Sequence, residues 1–109
     1  MITRIVRGVL RPNSEGRVFE LLRAASTASE RPPGMLGMSI SRQVRDGCIE
    51  LVAVTVWEDI ESMAAIMGPS WRDPSWLPEL ADAVERSSLE ILETVVSSYE
   101  DLRVLAVPD

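Results

Sequence analysis

The sequence contains no histidine and no lysine, and only one of its 109 residues is cysteine. Without histidine, the chain cannot build a histidine general base, a Ser-His-Asp triad, or a histidine ligand for a metal or a heme. Cys48 alone excludes a disulfide within the chain, and its place at the start of a predicted strand favours a small core residue. Any chemistry must therefore use other side chains or the substrate itself.

Long apolar runs and an excess of basic charge are also absent. Every apolar run is far shorter than the roughly 20 residues that a membrane-spanning helix needs, and Arg4 and Arg7 interrupt the apolar N-terminus. We therefore expect no membrane partner, no signal peptide and a cytoplasmic location. The net charge of −6 argues against a nucleic-acid partner, because the phosphates would be repelled.

Apolar material is sufficient for one core. Hydrophobic residues make up 46% of the chain, and its length predicts one domain over residues 1–109, with a C-terminal tail from about residue 101. Period-two alternation predicts three strands. The first covers Ile2–Leu10 with apolar side chains on both faces, and the other two form a hairpin that starts at Gly34, turns at Asp46-Gly47 and ends at Trp57.

Helical spacing of apolar residues predicts the connecting segments. One helix starts after Asn13 or Ser14 and ends near residue 29, and a short second helix runs from a cap at Asp59 to Gly68-Pro69. A third helix is predicted after Ser75, with an apolar stripe made by Leu77, Leu80, Ala81 and Val84. Residues 89–102 fit a helix by spacing, but their β-branched content favours a fourth strand.

The resulting β-α-β-β-α-β order predicts an α+β, ferredoxin-like fold, in which an antiparallel sheet carries helices on one face. Apolar residues on the other face would be exposed in a monomer. We therefore expect a homodimer whose sheets pack face to face about a two-fold axis. The space between sheet and helices, or between the two sheets, would then suit a small hydrophobic or aromatic ligand.

Residues 54–68, "VTVWEDIESMAAIMG", resemble the third strand and second helix of antibiotic-biosynthesis-monooxygenase-like domains of the dimeric α/β-barrel superfamily. The shared features are the aromatic strand end at Trp57, the acidic helix start, and the Pro-Ser-Trp that follows at residues 74–76. The resemblance covers residues 2–99 and implies a dimeric α/β barrel. Members include cofactor-free oxygenases of phenolic or quinol substrates and heme-degrading enzymes. The latter use an Asn, a Trp and a His, whereas this chain has no His and its one Asn, Asn13, lies in a predicted loop.

The resemblance implies a cofactor-independent monooxygenase acting on an aromatic or quinol-like substrate, with no cofactor and no metal site. The alternative is a non-catalytic ligand-binding or structural dimer. Substrate-binding residues are predicted at seven positions: Trp57, Trp71, Trp76, Arg7, Met63, Met67 and Tyr99. For the three tryptophans and Tyr99, packing in the core, at the pocket end or at the dimer interface is the favoured alternative, and no catalytic residue is assigned.

Arginine positions leave two alternatives open. Arg4 and Arg7 lie on opposite faces of the first strand, so one of them must approach a buried side. That residue either pairs with Glu50 or Glu93 or holds an anionic substrate oxygen, and Arg42 has the same two alternatives. In an oxygenase we expect a cation such as Arg7 or Arg72 near the substrate, with Asp73 or Glu50 as the base if it is desolvated.

Overall fold

The computed structural model describes residues 1–28 and 30–96 and confirms the β-α-β-β-α-β order. The elements are β1 (Ile2–Leu10), α1 (Glu15–Ala28), β2 (Met35–Arg45), β3 (Cys48–Trp57), α2 (Ile60–Met67), two 3₁₀ helices (Gly68–Arg72 and Pro78–Ala83) and β4 (Val84–Glu93). The strands form one antiparallel sheet in the order β2-β3-β1-β4, which is the ferredoxin-like arrangement. Within the described residues, no helix is long and apolar enough to span a membrane.

The two faces of the sheet differ in what covers them. Along β1, buried residues alternate with half-buried ones, and both helices pack on the buried side. We call this side the helix face; on β1 it carries Ile2, Arg4, Val6, Gly8 and Leu10. The opposite side is the open face; on β1 it carries Thr3, Ile5, Arg7 and Val9. Because residues directly opposite each other in an antiparallel pair share a face, the register assigns the other strands in the same way.

The core consists of two clusters at opposite ends of the helix face. The first cluster is built from Leu10, Val18, Leu51, Leu80 and Ala83, so it joins α1 and the second 3₁₀ helix to the sheet. The second cluster is built from Ile2, Trp57 and Met63, and it attaches α2. Because α1 and α2 attach at different ends, the middle of the helix face is covered by other segments.

Local signals for turns and caps are confirmed. Asp46 and Gly47 both have positive φ, 53° and 76°, as a two-residue hairpin turn requires. Asp59 precedes α2, and its Oδ1 accepts a hydrogen bond from the Ser62 amide at 2.7 Å. The hydrogen bonds from Ser62 hold the pKa of the Asp59 carboxyl below its ordinary value. Gly68, with φ of 75°, ends α2.

The predicted third α-helix is wrong. The segment instead forms a 3₁₀ helix at Pro78–Ala83, preceded by Leu77, and Val84 already belongs to β4. A 3₁₀ helix has three residues per turn, so Leu80 and Ala83 lie on one side, and both are buried. The predicted stripe had assumed a spacing of 3.6 residues and therefore included Val84.

The predicted fourth strand is confirmed, but its boundaries are not. β4 starts at Val84 rather than Leu89, and it ends at Glu93. Its extent follows β1, because the pairing runs from Ile2 opposite Glu93 to Leu10 opposite Val84. Residues 97–109, which include Tyr99 and the predicted tail, lie outside the described residues, so the single-domain assignment of residues 1–109 stays a prediction.

Candidate functional site

A cleft of about 390 Å³ lies between α1 and β2 on the helix face. We call it the α1–β2 cleft. Its lining residues come from three elements and are Phe19, Leu22, Arg23 and Ser26 of α1, Met38, Ser39, Ile40, Ser41 and Arg42 of β2, and Leu51 of β3. The volume is within the range of small-molecule pockets, roughly 300–1,000 Å³.

The cleft exists because β2 is an edge strand. The buried residue of α1, Val18, packs with Leu10 and Leu51 of the central strands, so the helix leaves part of β2 uncovered. Met38 and Ile40 are on the helix face, opposite Thr55 and Ala53, yet they are 53% and 37% exposed. Apolar side chains left open in a concave surface typically mark a binding site.

Arg42 stands at one end of the cleft and connects β2 to α1. Its Nη1 forms an ion pair with Glu15 Oε1 in the first turn of α1, and both side chains are partly exposed. Its guanidinium carbon lies 5.8 Å from the centroid of the Phe19 ring, within the range of a cation–π contact. The partner of Arg42 is therefore Glu15, and not Glu50 or Glu93 as the sequence suggested.

The lining residues limit the chemistry of the cleft. Among the described residues that line it, the charged ones are Arg23 and Arg42, and none is Asp or Glu. The cleft can therefore hold an apolar body and attract a negative charge. Glu15, which pairs with Arg42, does not itself line the cleft, and neither do Asp73 and Glu50, of which Glu50 is on the open face.

Four of the predicted site residues come together in the second core cluster. Trp57 and Met63 are buried there, with Trp57 only 1% exposed, and Met67 and Trp71 pack against them. Trp57 Nε1 donates a hydrogen bond to Thr55 Oγ1 at 2.9 Å. None of the four lines the α1–β2 cleft. Their role in substrate binding stays a prediction.

Trp76 packs against the first core cluster, away from Trp57. Its indole lies directly over Gly8 of β1, and a Cβ at position 8 would come within 2.8 Å of the ring. Its Nε1 donates to Ser87 Oγ on β4 at 3.2 Å. Glycine at position 8 thus lets the tryptophan cover β1 and β4. The Trp71 ring, in contrast, is stacked by Arg72, with the guanidinium carbon 4.6 Å from the centroid.

The buried arginine of β1 is Arg4. Its Nε and Nη2 donate to the main-chain oxygens of Trp71 and Asp73, at 3.1 and 2.7 Å, and desolvation lowers its pKa. Arg4 therefore fastens the segment after α2 to the sheet. The expected pairing of the buried arginine with Glu50 or Glu93 is therefore wrong, and Arg7, on the open face, pairs with Glu90 of β4.

Other predicted positions also lie away from the cleft. Cys48 is exposed, so its assignment to the core is wrong; it sits at the solvent-facing start of β3, beside the hairpin turn. Arg72 and Asp73 lie in the segment after α2, and Tyr99 is outside the described residues. Sequence reasoning gave Arg42 an anion-binding alternative but did not bring it together with Phe19, Met38 and Ile40. Alternation did place Met38, Ile40 and Arg42 on one face of β2, but it gave no sign that this strand is an edge.

Solved structures with a similar fold are found over most of the chain. A candidate antibiotic biosynthesis monooxygenase from Deinococcus radiodurans superimposes with a TM-score of 0.69 at 14% identity, covering 90% of this chain and 96% of that one. A second, from Nitrosomonas europaea, gives 0.67 at 21% identity, covering 88% and 100%. This chain has the antibiotic-biosynthesis-monooxygenase-like fold. The ferredoxin-like fold predicted from the order of elements is thereby confirmed.

The heme-degrading protein MhuD from Mycobacterium tuberculosis shares the antibiotic-biosynthesis-monooxygenase-like fold. Its TM-score is 0.61 at 21% identity, over 88% of this chain and 98% of that one, and its structure holds two hemes in the active site. The chain cannot ligate a heme through histidine, since the sequence has none. Among the described residues that line the cleft, Met38 is the one with a sulfur side chain. No protein-family model and no curated protein matches the sequence.

Proposed function

We propose that this chain binds a small aromatic molecule in the α1–β2 cleft and acts on it as a cofactor-independent monooxygenase of an aromatic or quinol-like substrate. The observation that carries the proposal is the pair of Met38 and Ile40, two apolar side chains exposed on the helix face inside a concave surface. Phe19 on the opposite wall provides an aromatic surface for a planar ligand. The fold shared with the candidate monooxygenases supports this choice of reaction.

The residues of the cleft restrict how such a reaction would proceed. Since no carboxylate lines the cleft among the described residues, the substrate must enter as an electron-rich, deprotonated ring that reduces O₂ itself. For a ring CH₂ group, the overall change converts CH₂ and O₂ into a ring carbonyl and water, so all the electrons come from the substrate. Arg42 would stabilise the negative oxygen, and the apolar walls would exclude water.

Oxygen consumption tests the enzyme proposal. We expect the purified protein, freed of metal with a chelator, to consume O₂ above the buffer rate with at least one member of a panel of quinols and polyphenols. Met38→Trp should fill the cleft and lower kcat/KM by on the order of tenfold or more, about 1.4 kcal/mol.

The matched control is Leu36→Trp. Leu36 is also an exposed apolar residue of β2, but it does not line the cleft, so its variant should keep the wild-type rate. Equal losses in both variants would show that the cleft is not the site. An uptake rate equal to that of buffer across the whole panel would reject the monooxygenase.

A non-catalytic ligand-binding dimer is the second candidate function. The absence of Asp and Glu from the described lining of the cleft favours it, because proton transfer in a binding pocket usually needs such a group. Ligand binding at the cleft without oxygen consumption would select this candidate.

We also propose that the chain forms a two-fold homodimer through the open face. The side chains that support it are apolar and occupy neighbouring positions on three strands: Ile5, Val9, Val52, Val54, Val56 and Leu92. Leu92 is 48% exposed, and Val54 lies opposite Ile5 near the centre of the sheet. A partner's open face would remove these side chains from water.

Val54→Arg should convert the dimer to a monomer, because it places a charge without a partner at the centre of the buried interface. Light scattering coupled to size exclusion would report the mass. Val44→Arg is the matched control, since Val44 lies on the helix face at the exposed edge strand and should leave the dimer intact. A wild-type protein that is monomeric at micromolar concentration would contradict this assembly.

A further inference from the structure

We propose that the ligand of the α1–β2 cleft is an aromatic anion and that Arg42 is the residue that selects for its negative charge. This inference rests on the proposed function, because it takes the cleft to be a binding site. It goes further by making the negative charge the property for which the cleft selects, with Arg42 as the residue that selects it and Glu15 as its competitor. The ligand class is an aromatic ring system of one to three rings that carries a phenolate, carboxylate or sulfonate group.

Charge is the first argument. The chain carries a net charge of −6, so a negative ligand is repelled by most of the protein. The described lining of the cleft has two arginines and no acidic residue, and the carboxylate that pairs with Arg42 belongs to Glu15, which lies outside the lining. A pocket of one sign in a protein of the other sign raises the local concentration of complementary ligands and disfavours the rest. The cleft is thus suited to an anion and unsuited to a cation.

The position of Arg42 is the second argument. On β2, Arg42 shares the helix face with Met38 and Ile40. We call these two apolar residues the apolar floor of the cleft, and the Arg42 side chain lies on the same side of the strand. Its guanidinium lies beside the Phe19 ring. A flat ligand on Met38 and Ile40 would therefore have an aromatic wall and a cation at the same end. Arginine also presents donors in a planar fork that matches an acid group.

The Glu15 carboxylate would compete with the acid group of the ligand for the Arg42 guanidinium. Their ion pair is exposed on both sides, and exposed pairs contribute little because water screens them. An anion held against the apolar floor is less screened, so it can compete with Glu15 for the guanidinium. Removing the charge of Glu15 should therefore raise the affinity for an anion and leave the affinity for a neutral ligand unchanged.

Two fluorescent probes with one ring system separate charge from shape. 1-Anilinonaphthalene-8-sulfonate is an anion, and N-phenyl-1-naphthylamine is its neutral counterpart without the sulfonate. Fluorescence titration should show that the sulfonate binds once per chain and about tenfold more tightly than the neutral probe, as one charge-assisted hydrogen bond predicts. Glu15→Gln should strengthen sulfonate binding further.

Matched variants locate the effect. Arg42→Gln should abolish the preference for the sulfonate while leaving the affinity for the neutral probe within about twofold, a change expected for loss of charge alone. Arg45→Gln is the control. It removes the same charge from the same strand, but Arg45 does not line the cleft. Met38→Glu should weaken the sulfonate several-fold relative to Met38→Gln, since the two differ in charge but little in shape. Circular dichroism melts would confirm that each variant is folded.

The outcomes separate the two proposals. If neither probe binds to folded protein, the cleft is not a ligand site, and the proposed function falls together with this inference. If both probes bind equally well, or if Arg42→Gln and Arg45→Gln have the same effect, the charge selection is overturned while the binding site stands. If the sulfonate probe binds at several sites per chain and its affinity is the same in the Met38 variants as in the wild type, the inference is likewise overturned. A preference that Arg42→Gln alone removes would establish it.

Discussion

Replacing Trp57 with alanine is expected to lower the free energy of unfolding by about 3–5 kcal/mol, the usual loss for a buried aromatic side chain. Trp57 is 1% exposed and lies between Ile2 of β1 and Met63 of α2, so its removal leaves a cavity where α2 attaches to the sheet. Urea denaturation followed by far-UV circular dichroism would measure the change. A loss below about 1 kcal/mol would contradict this description of the cluster.

Trp57→Phe and Thr55→Val are the accompanying variants. The first keeps an aromatic ring but removes the hydrogen bond from Nε1 to Thr55 Oγ1, and the second removes the acceptor of the same bond. Each of these variants should lower the free energy of unfolding by less than Trp57→Ala does. Probe titration of Trp57→Phe also tests the sequence-based role of Trp57, because a substrate-stacking residue would change ligand affinity and a packing residue would change stability alone.

Leu80→Ala is the second large effect, with an expected loss of about 2–5 kcal/mol of unfolding free energy. Leu80 is 0% exposed in the first core cluster, where the second 3₁₀ helix packs against Leu10, Val18 and Leu51. The segment is irregular, but its burial at this position is complete. Its contribution to stability should therefore equal that of a residue in a regular core element.

Leu77→Ala is the matched control, because Leu77 has the same side chain three positions earlier and is 45% exposed. Its variant should change the unfolding free energy by no more than about 0.5 kcal/mol, as is usual at surfaces. Thermal or urea unfolding of the two variants side by side would decide the matter. Similar losses would mean that Leu77 is buried, as the predicted α-helical stripe had placed it.

Most of the regular fold could be predicted from the sequence, because its signals are local. Alternation over Ile2–Leu10 and the Asp46-Gly47 pair each fix a strand or a turn through a few neighbouring residues. Asp59 and Gly68 mark the ends of α2 in the same way. β4 was harder to predict, because its first half is polar and its start is set by pairing with β1 rather than by its own composition.

The candidate site could not be predicted to the same extent, because it depends on which elements are neighbours. The sequence shows that Arg4 and Arg7 lie on opposite faces, but only the packing shows that Arg4 is the buried one. Met38 and Ile40 have the composition of core residues, and they are exposed because β2 is at the edge of the sheet. All three tryptophans pack against the core clusters, and their predicted role in substrate binding stays a prediction.

The hydrogen bonds of Arg4 have a consequence for how this chain can change in evolution. Both acceptors, at positions 71 and 73, are main-chain oxygens, which every amino acid possesses. The contact therefore depends on the path of the backbone and not on the side chains at those two positions. These two hydrogen bonds need a long side chain with several donors at position 4, whereas any residue at positions 71 and 73 keeps the two acceptors. Both donors belong to Arg4, so one substitution at position 4 removes both of these hydrogen bonds.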